Sequence, residues 1–361
     1  MVSVNLIRDH IRKIKPYEPV KPLDILSEEL GIPKDQLLKI DANENPYGMP
    51  PQAKQRLAEV EYGHIYPDPE SRKLRAALAA FHDIPYENIL AGAGADELID
   101  LIVRLSFNPG ESIINCPPTF GFYSTVAQIH HLQITNLERK ADFSIDLESI
   151  QQAVAQGAKG IFLANPNNPD GSLLANQFVE ALLDLPILVV IDEAYIEFAP
   201  ASASMMQAVL NHDNLIVLRT FSKWGGLAGI RLGYGCFPAA YLGELMKIKQ
   251  PYNVSVPAQE AGLGALQNIE VLNRRLDWIL AERKRMISAL GEISWLVPYP
   301  TQSNFILCKV LGKDAQDVKQ ALAEKGILIR FFNQPRLQDH LRFSVGTPEG
   351  TDRLITALKE I

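Results

Sequence analysis

Leu215-Ile-Val-Leu-Arg-Thr-Phe-Ser-Lys-Trp-Gly-Gly-Leu-Ala-Gly-Ile-Arg231 decides how the chain is read. Leu215–Leu218 is an unbroken apolar run of strand length. It feeds a loop in which Lys223 follows two small hydroxyl residues, Thr220 and Ser222, and precedes a string of glycines; Arg231 comes eight residues later. Hydroxyls and an arginine around a loop that opens on a lysine suit a phosphorylated ligand. The glycines allow the backbone to approach that ligand closely. A lysine held out of water by Phe221, Trp224 and Leu227 would lose proton affinity and become a nucleophile. An aldehyde cofactor such as pyridoxal phosphate needs an amine of this kind for a Schiff base. The competing reading is a surface lysine beside a flexible glycine loop.

Two further stretches bear on that choice. Gly160-Ile-Phe-Leu-Ala164 runs into Asn165-Pro-Asn-Asn-Pro-Asp-Gly171, so amide side chains fall at the carboxyl end of a strand. Ligands bind at that end in open α/β sheets, although Asn, Pro and Gly also build ordinary turns. Ile187-Leu-Val-Val-Ile191 runs into Asp192-Glu-Ala-Tyr195. A carboxylate ending so apolar a strand is costly without a cationic partner, and a protonated pyridine nitrogen would be one.

The ordered set of Asn165–Gly171, Asp192–Phe198 and Thr220–Gly235 resembles fold-type I pyridoxal-phosphate aminotransferases of class I/II, and within them the histidinol-phosphate aminotransferases. Asp41-Ala-Asn-Glu-Asn-Pro-Tyr-Gly48, Tyr66-Pro-Asp-Pro-Glu-Ser71, Gly92–Asp100 and Leu341–Gly350 are similar to that family too, and the likeness runs from about Tyr17 to the C-terminus. One departure is Asp170, where the family usually has threonine. It lies in the turn, and a local effect is expected.

The resemblance implies the roles. Lys223 would hold the cofactor and move the proton, Asp192 would pair with the pyridine nitrogen, and Asn168 and Tyr195 would bond the ring hydroxyl. Thr220, Ser222, Arg231 and the backbone at Ala95 and Asp96 would bind the cofactor phosphate, with Phe120 stacked on the ring. Phe122 and Tyr123 read as candidates for simple core. Tyr66 would reach the phosphate in the other subunit of a homodimer; the residues alone do not favour it over Tyr62. Tyr17, Asn43, Arg330 and Arg342 would contact substrate. The implied reaction moves an amino group between histidinol phosphate and 2-oxoglutarate, with glutamate as the other amino acid, in histidine biosynthesis. A transaminase for aromatic amino acids, an amino-acid phosphate decarboxylase of the same fold, and a non-catalytic module that keeps the fold stay open.

Composition bounds the rest. With 361 residues, 47% of them hydrophobic, the chain can build a large unit and a smaller one. A net charge of −7 argues against a nucleic-acid surface. Apolar runs are strand-sized, so no membrane span is expected, and the charged N-terminus lacks a signal-peptide core. Cys116, Cys236 and Cys308 are scattered and odd in number, which suits reduced core thiols in the cytoplasm and neither disulfides nor a metal site. Gly92 and Gly94 brush against a dinucleotide fingerprint, but Leu98 stands near where its third glycine is wanted.

In chain order, residues 1–45 read as an N-terminal arm that packs with the small unit. Residues 46–255 read as a large cofactor-binding unit and 256–361 as a small α+β unit. Strand-like runs at Ile134–Leu137, Ile161–Ala164, Leu188–Ile191, Leu215–Leu218 and Leu232–Gly235, several with helices between them, predict an α/β unit with a mostly parallel, doubly covered sheet, and the family resemblance implies that it is of the seven-stranded type. A long helical region is expected over Ala258–Leu290, with Trp278 in the core, and one strand over Ile327–Arg330.

Overall fold

The computed structural model describes residues 6–16 and 19–361. Its central sheet has seven strands, in spatial order Ile89–Gly92, Gly233–Cys236, Leu215–Thr220, Leu188–Asp192, Ala158–Ala164, Ser112–Asn115 and Gln133–Asn136. Six point the same way, and Gly233–Cys236 runs against both its neighbours. The central strands are buried along their whole length. Successive side chains feed opposite faces: Val189, Ile191, Leu215 and Val217 enter one core, while Val190, Ile216 and Leu218 enter the other. Two apolar faces need two layers of helices, which is why these runs carry no polar alternation.

The helix Ala95–Ser106 shows how the layers are specified. Leu98, Ile99, Leu101, Ile102 and Val103 are buried and pack with the second of those cores. Its first turn, by contrast, lies at the edge where the parallel strands end.

A second, antiparallel sheet follows in the order Arg330–Phe331, His340–Ser344, Phe305–Val310, Leu296–Pro298. Leu38–Lys39 pairs in parallel with Ile327–Leu328, tying the arm to this part of the chain. The run Ile327–Arg330 is therefore not one strand. Its first half bonds to the arm, and the strand that resumes at Arg330 bonds to His340–Ser344.

The long helical region is two helices, Val256–Leu266 and Ile269–Gly291, because Asn268 leaves helical geometry at ψ 31°. Val256–Leu266 packs on Pro51–Ala58 and Arg72–His82. Gly264 makes that approach possible, since a Cβ there would sit 2.6 Å from the Ala53 Cα. Trp278 is not core: it is 48% exposed and lies against Tyr47 with ring centres 5.1 Å apart. Helical spacing identified its helix but not which side of that helix is covered. Among the described residues no helix is long and apolar enough to cross a membrane.

Candidate active site

A cleft of about 1450 Å³ opens where the carboxyl ends of the parallel strands meet the arm and the second sheet. Asn43, Ala95, Asp96, Phe120, Asn168, Asp192, Tyr195, Thr220, Ser222, Lys223, Arg231, Arg330 and Arg342 all line it. They come from sequence positions up to three hundred residues apart, gathered because parallel strands release their loops at one edge.

Asp192 ends the strand Leu188–Asp192 and is 5% exposed. Its Oδ2 accepts from the Tyr123 hydroxyl at 2.7 Å and its Oδ1 from the Ala194 amide at 3.0 Å. Burial pushes the carboxyl up to about 6, against the pull of those two donors. Lys223 follows the neighbouring strand. Its Nζ donates to the Ala42 carbonyl at 2.8 Å and lies 5.8 Å from the centre of the Tyr195 ring. Burial, helped by the Arg342 charge, lowers the ammonium to about 8.

A chain of hydrogen bonds joins the two halves of the molecule across the cleft. Arg342 donates to Asn168 Oδ1 at 2.6 Å and to the Asp41 carbonyl at 2.7 Å. Asn168 reaches the Tyr195 hydroxyl at 3.5 Å, and Asn43 donates to that hydroxyl at 3.1 Å. Asn43 holds a left-handed backbone, φ 56°, which asparagine tolerates. Its amide donates to Ser344 Oγ at 2.8 Å and its carbonyl accepts from Asn304 at 3.0 Å, so the strained residue is pinned from the second sheet. Burial raises the Tyr195 phenol above its ordinary value, opposed by Arg342 and Asn43.

A third group makes an anion cradle. Thr220 Oγ1 donates to Ser222 Oγ at 2.9 Å. Arg231, at φ 57°, donates to Asp96 Oδ2 at 2.8 Å. The helix Ala95–Ser106 starts without a side-chain cap, so its first N–H groups and dipole face the same spot. Gly94 belongs to the cradle, because a Cβ there would lie 2.8 Å from Arg231 Nη2.

Arg330 and Arg342 stand directly opposite in the antiparallel pairing. Both guanidinium carbons lie 5.5 Å from the centre of the Phe332 ring. Like charges facing across a strand pair are unfavourable, and an anion between them would remove that cost.

Asp170 is buried, and its carboxylate accepts from the Asn167 side chain and, at 3.0 Å, from the Ser172 amide. Asn167 in turn accepts from Thr119 at 2.8 Å. The acidic side chain thus closes the turn before Asn168 is displayed.

Of the residues the sequence assigned to the site and the structure describes, one is not brought here. Tyr66 does not line the cleft; it is 77% exposed and stacks on Tyr252 at 4.3 Å. Tyr17 lies outside the described residues. Conversely, Tyr123 read as a core candidate, and it is buried, but its hydroxyl bonds Asp192. On the side of the strand ends turned from the cleft, Arg219 bridges Glu193 at 2.9 Å and Glu197 at 3.4 Å. The signal for that pair was available, since an arginine inside an apolar strand must find a partner.

These residues fit pyridoxal phosphate by the chemistry of their donors. An amine of lowered proton affinity, a buried carboxylate to which no cation is bonded among the described residues, and an anion cradle beside both match an aldehyde, a ring nitrogen and a phosphate.

Comparison with known proteins points the same way. The model of the family "Aminotransferase class I and II" matches residues 35–358. The chloroplastic histidinol-phosphate aminotransferase of Nicotiana plumbaginifolia is 48% identical over 355 residues, covering 98% of this chain and 86% of that protein. The histidinol-phosphate aminotransferase of Roseiflexus castenholzii is 46% identical, over 99% of this chain and 98% of that protein. The crystal structure of histidinol-phosphate aminotransferase from Sinorhizobium meliloti in complex with pyridoxal-5'-phosphate superposes with a TM-score of 0.89 at 28% identity, covering 99% of this chain and 98% of that one. Fold and sequence agree, and the chain belongs to the class I and II aminotransferases.

Proposed function

We infer that this chain is a pyridoxal-phosphate-dependent histidinol-phosphate aminotransferase of histidine biosynthesis, exchanging an amino group between histidinol phosphate and 2-oxoglutarate. The observation that carries the reading is one cleft holding Lys223, Asp192 and the facing pair Arg330 and Arg342, in a chain nearly half identical to relatives of that name.

Pyridoxal 5'-phosphate, when bound, supplies an aldehyde to receive the amino group and a ring to accept the electron pair from substrate Cα. Lys223 Nζ would take a proton from that Cα and deliver it to the carbon that was the aldehyde's, C4′; its lowered proton affinity suits a base working near neutrality. Asp192 holds a proton on the ring nitrogen. Asn168 and Tyr195 bond the ring hydroxyl, and Phe120 covers a ring face. Thr220, Ser222, Arg231 and the N–H groups at Ala95 and Asp96 take the phosphate.

Tyr17, Asn43, Arg330 and Arg342 are assigned to substrate. Histidinol phosphate carries a phosphate and no α-carboxylate, whereas glutamate carries two carboxylates, so the site must accept both kinds of anion. Planar guanidinium groups bind either one bidentately. A coupled assay with histidinol phosphate and 2-oxoglutarate tests the reading. Rapid turnover of phenylalanine with none of histidinol phosphate would move it to the aromatic transaminases.

We also propose a homodimer with shared sites. The exposed Tyr62, Ile65 and Tyr66 support a covered surface there, with Tyr66 turned to a partner's phosphate. Mixing Tyr66→Phe with Lys223→Ala should then restore activity in hybrid dimers, and no rescue from a monomeric protein would refute it. Three buried free cysteines support a cytoplasmic setting. The division into 1–45, 46–255 and 256–361 stands as a proposal too. The packing of Val256–Leu266 on Pro51–Ala58 favours moving its last boundary to Asn268.

A further inference from the structure

Tyr123 lies in the helix Phe122–Ile129, 1% exposed and outside the cleft lining. Its ring stacks on Phe162 at 5.7 Å and meets Phe120 edge-on at 5.4 Å. Packing alone would be served by phenylalanine. The hydroxyl is what phenylalanine lacks, and it reaches Asp192 Oδ2 at 2.7 Å. Burial and the adjacent carboxylate keep the phenol protonated, so towards Asp192 it is a donor. Each oxygen of Asp192 thus has one fixed neutral donor, Tyr123 on one side and the Ala194 amide on the other.

We propose that Tyr123 is a positioning residue for the reaction: its hydroxyl keeps the buried Asp192 carboxylate ionised and fixed in rotation, so that the proton it faces stays on the cofactor's ring nitrogen. This rests on the reading of Asp192 given above. A hydrogen bond to an anion makes that anion a weaker base. Without the hydroxyl, Asp192 becomes more basic and the shared proton moves from the ring nitrogen to the carboxyl, with no change in total charge. The electron sink weakens although every group that touches the cofactor is still present.

The test compares Tyr123→Phe, Asp192→Asn and the double variant. Pyridoxal phosphate affinity is read by titrating cofactor-free protein, and ring-nitrogen protonation by the nitrogen resonance of 15N-labelled cofactor. Tyr123→Phe should weaken binding about tenfold and move the resonance towards unprotonated pyridine. In the Asp192→Asn background the same change should alter affinity less than about twofold, because the group it acts through is gone. As a measurement on cofactor-free protein, 13C-labelled aspartate should show Asp192 titrating at higher pH in Tyr123→Phe.

An unchanged affinity, resonance and titration in Tyr123→Phe would overturn the proposal, as would equal losses in both backgrounds, the mark of a merely structural role. If Asp192→Asn itself left affinity and resonance unchanged, the reading of Asp192 would fall and the proposal with it.

Discussion

Arg342→Ala is the substitution whose consequence the geometry constrains most. The guanidinium is 5% exposed, lies 5.1 Å from the Phe305 ring centre, and makes charge-assisted bonds of 2.6 Å to Asn168 and 2.7 Å to the Asp41 carbonyl. Truncation therefore removes the proposed anion reader and also releases Asn168 and Asp41, the neighbour of the Ala42 whose carbonyl accepts from Lys223. Losing a buried, bonded charge of this kind costs about 2 to 5 kcal/mol, or roughly thirty- to several-thousand-fold in kcat/KM. Because Arg342 holds Asn168 and is also proposed to read the substrate's anion, both half-reactions should suffer. Arg330 sits opposite it but only partly buried, so Arg330→Ala should harm the histidinol phosphate half-reaction more than the glutamate one. Single-turnover spectra with each amino donor read the two effects separately. Equal losses for both donors in Arg330→Ala would remove its role as phosphate reader. Undiminished turnover in Arg342→Ala would refute the whole arrangement.

Three further outcomes are expected. Lys223→Ala should abolish transamination while the protein folds and retains cofactor that borohydride no longer fixes to the chain; near-parent turnover would show another base. Capture of cofactor by the cofactor-free protein should rise with pH, because Asp192 ionises through about 6 and the Lys223 amine loses its proton through about 8. Stopped-flow rates that stay flat from about pH 6 to 9 would contradict those two shifts. Gly264→Ala should destabilise by about 1 to 3 kcal/mol, since the new methyl would meet Ala53 Cα at 2.6 Å and Gln52 O at 2.7 Å. An unmoved urea midpoint would mean the two helices part at no cost.

Much of the site was legible because of where apolar runs stop. Asp192, Asn168 and Lys223 each follow a strand whose every residue is apolar or nearly so, and a polar group just past such a run is displayed at the edge of a parallel sheet. A mostly parallel sheet covered on both faces followed from the same runs, because only strands covered on both faces are written without alternation; the count of seven came with the family resemblance. Other features could not be read in this way. Whether Trp278 is covered, where the helix after Ser255 breaks, and that Ile327–Leu328 and Arg330–Phe331 serve different sheets all depend on which surfaces arrive from elsewhere in the chain.

The amino-acid order by itself determined the chemistry on offer: an amine, a carboxylate, an arginine pair, and the loops that carry them. Tertiary structure alone decided their state. Tyr123 and Asp192 are 69 residues apart, and Asn43 and Ser344 are 301 apart. No local pattern encodes such contacts, and they set how far Asp192 and Tyr195 are held from water and which donors they meet. A proton's position depends on those surroundings rather than on residue type, so the charges that make the cleft reactive exist only once the sheet has closed over them.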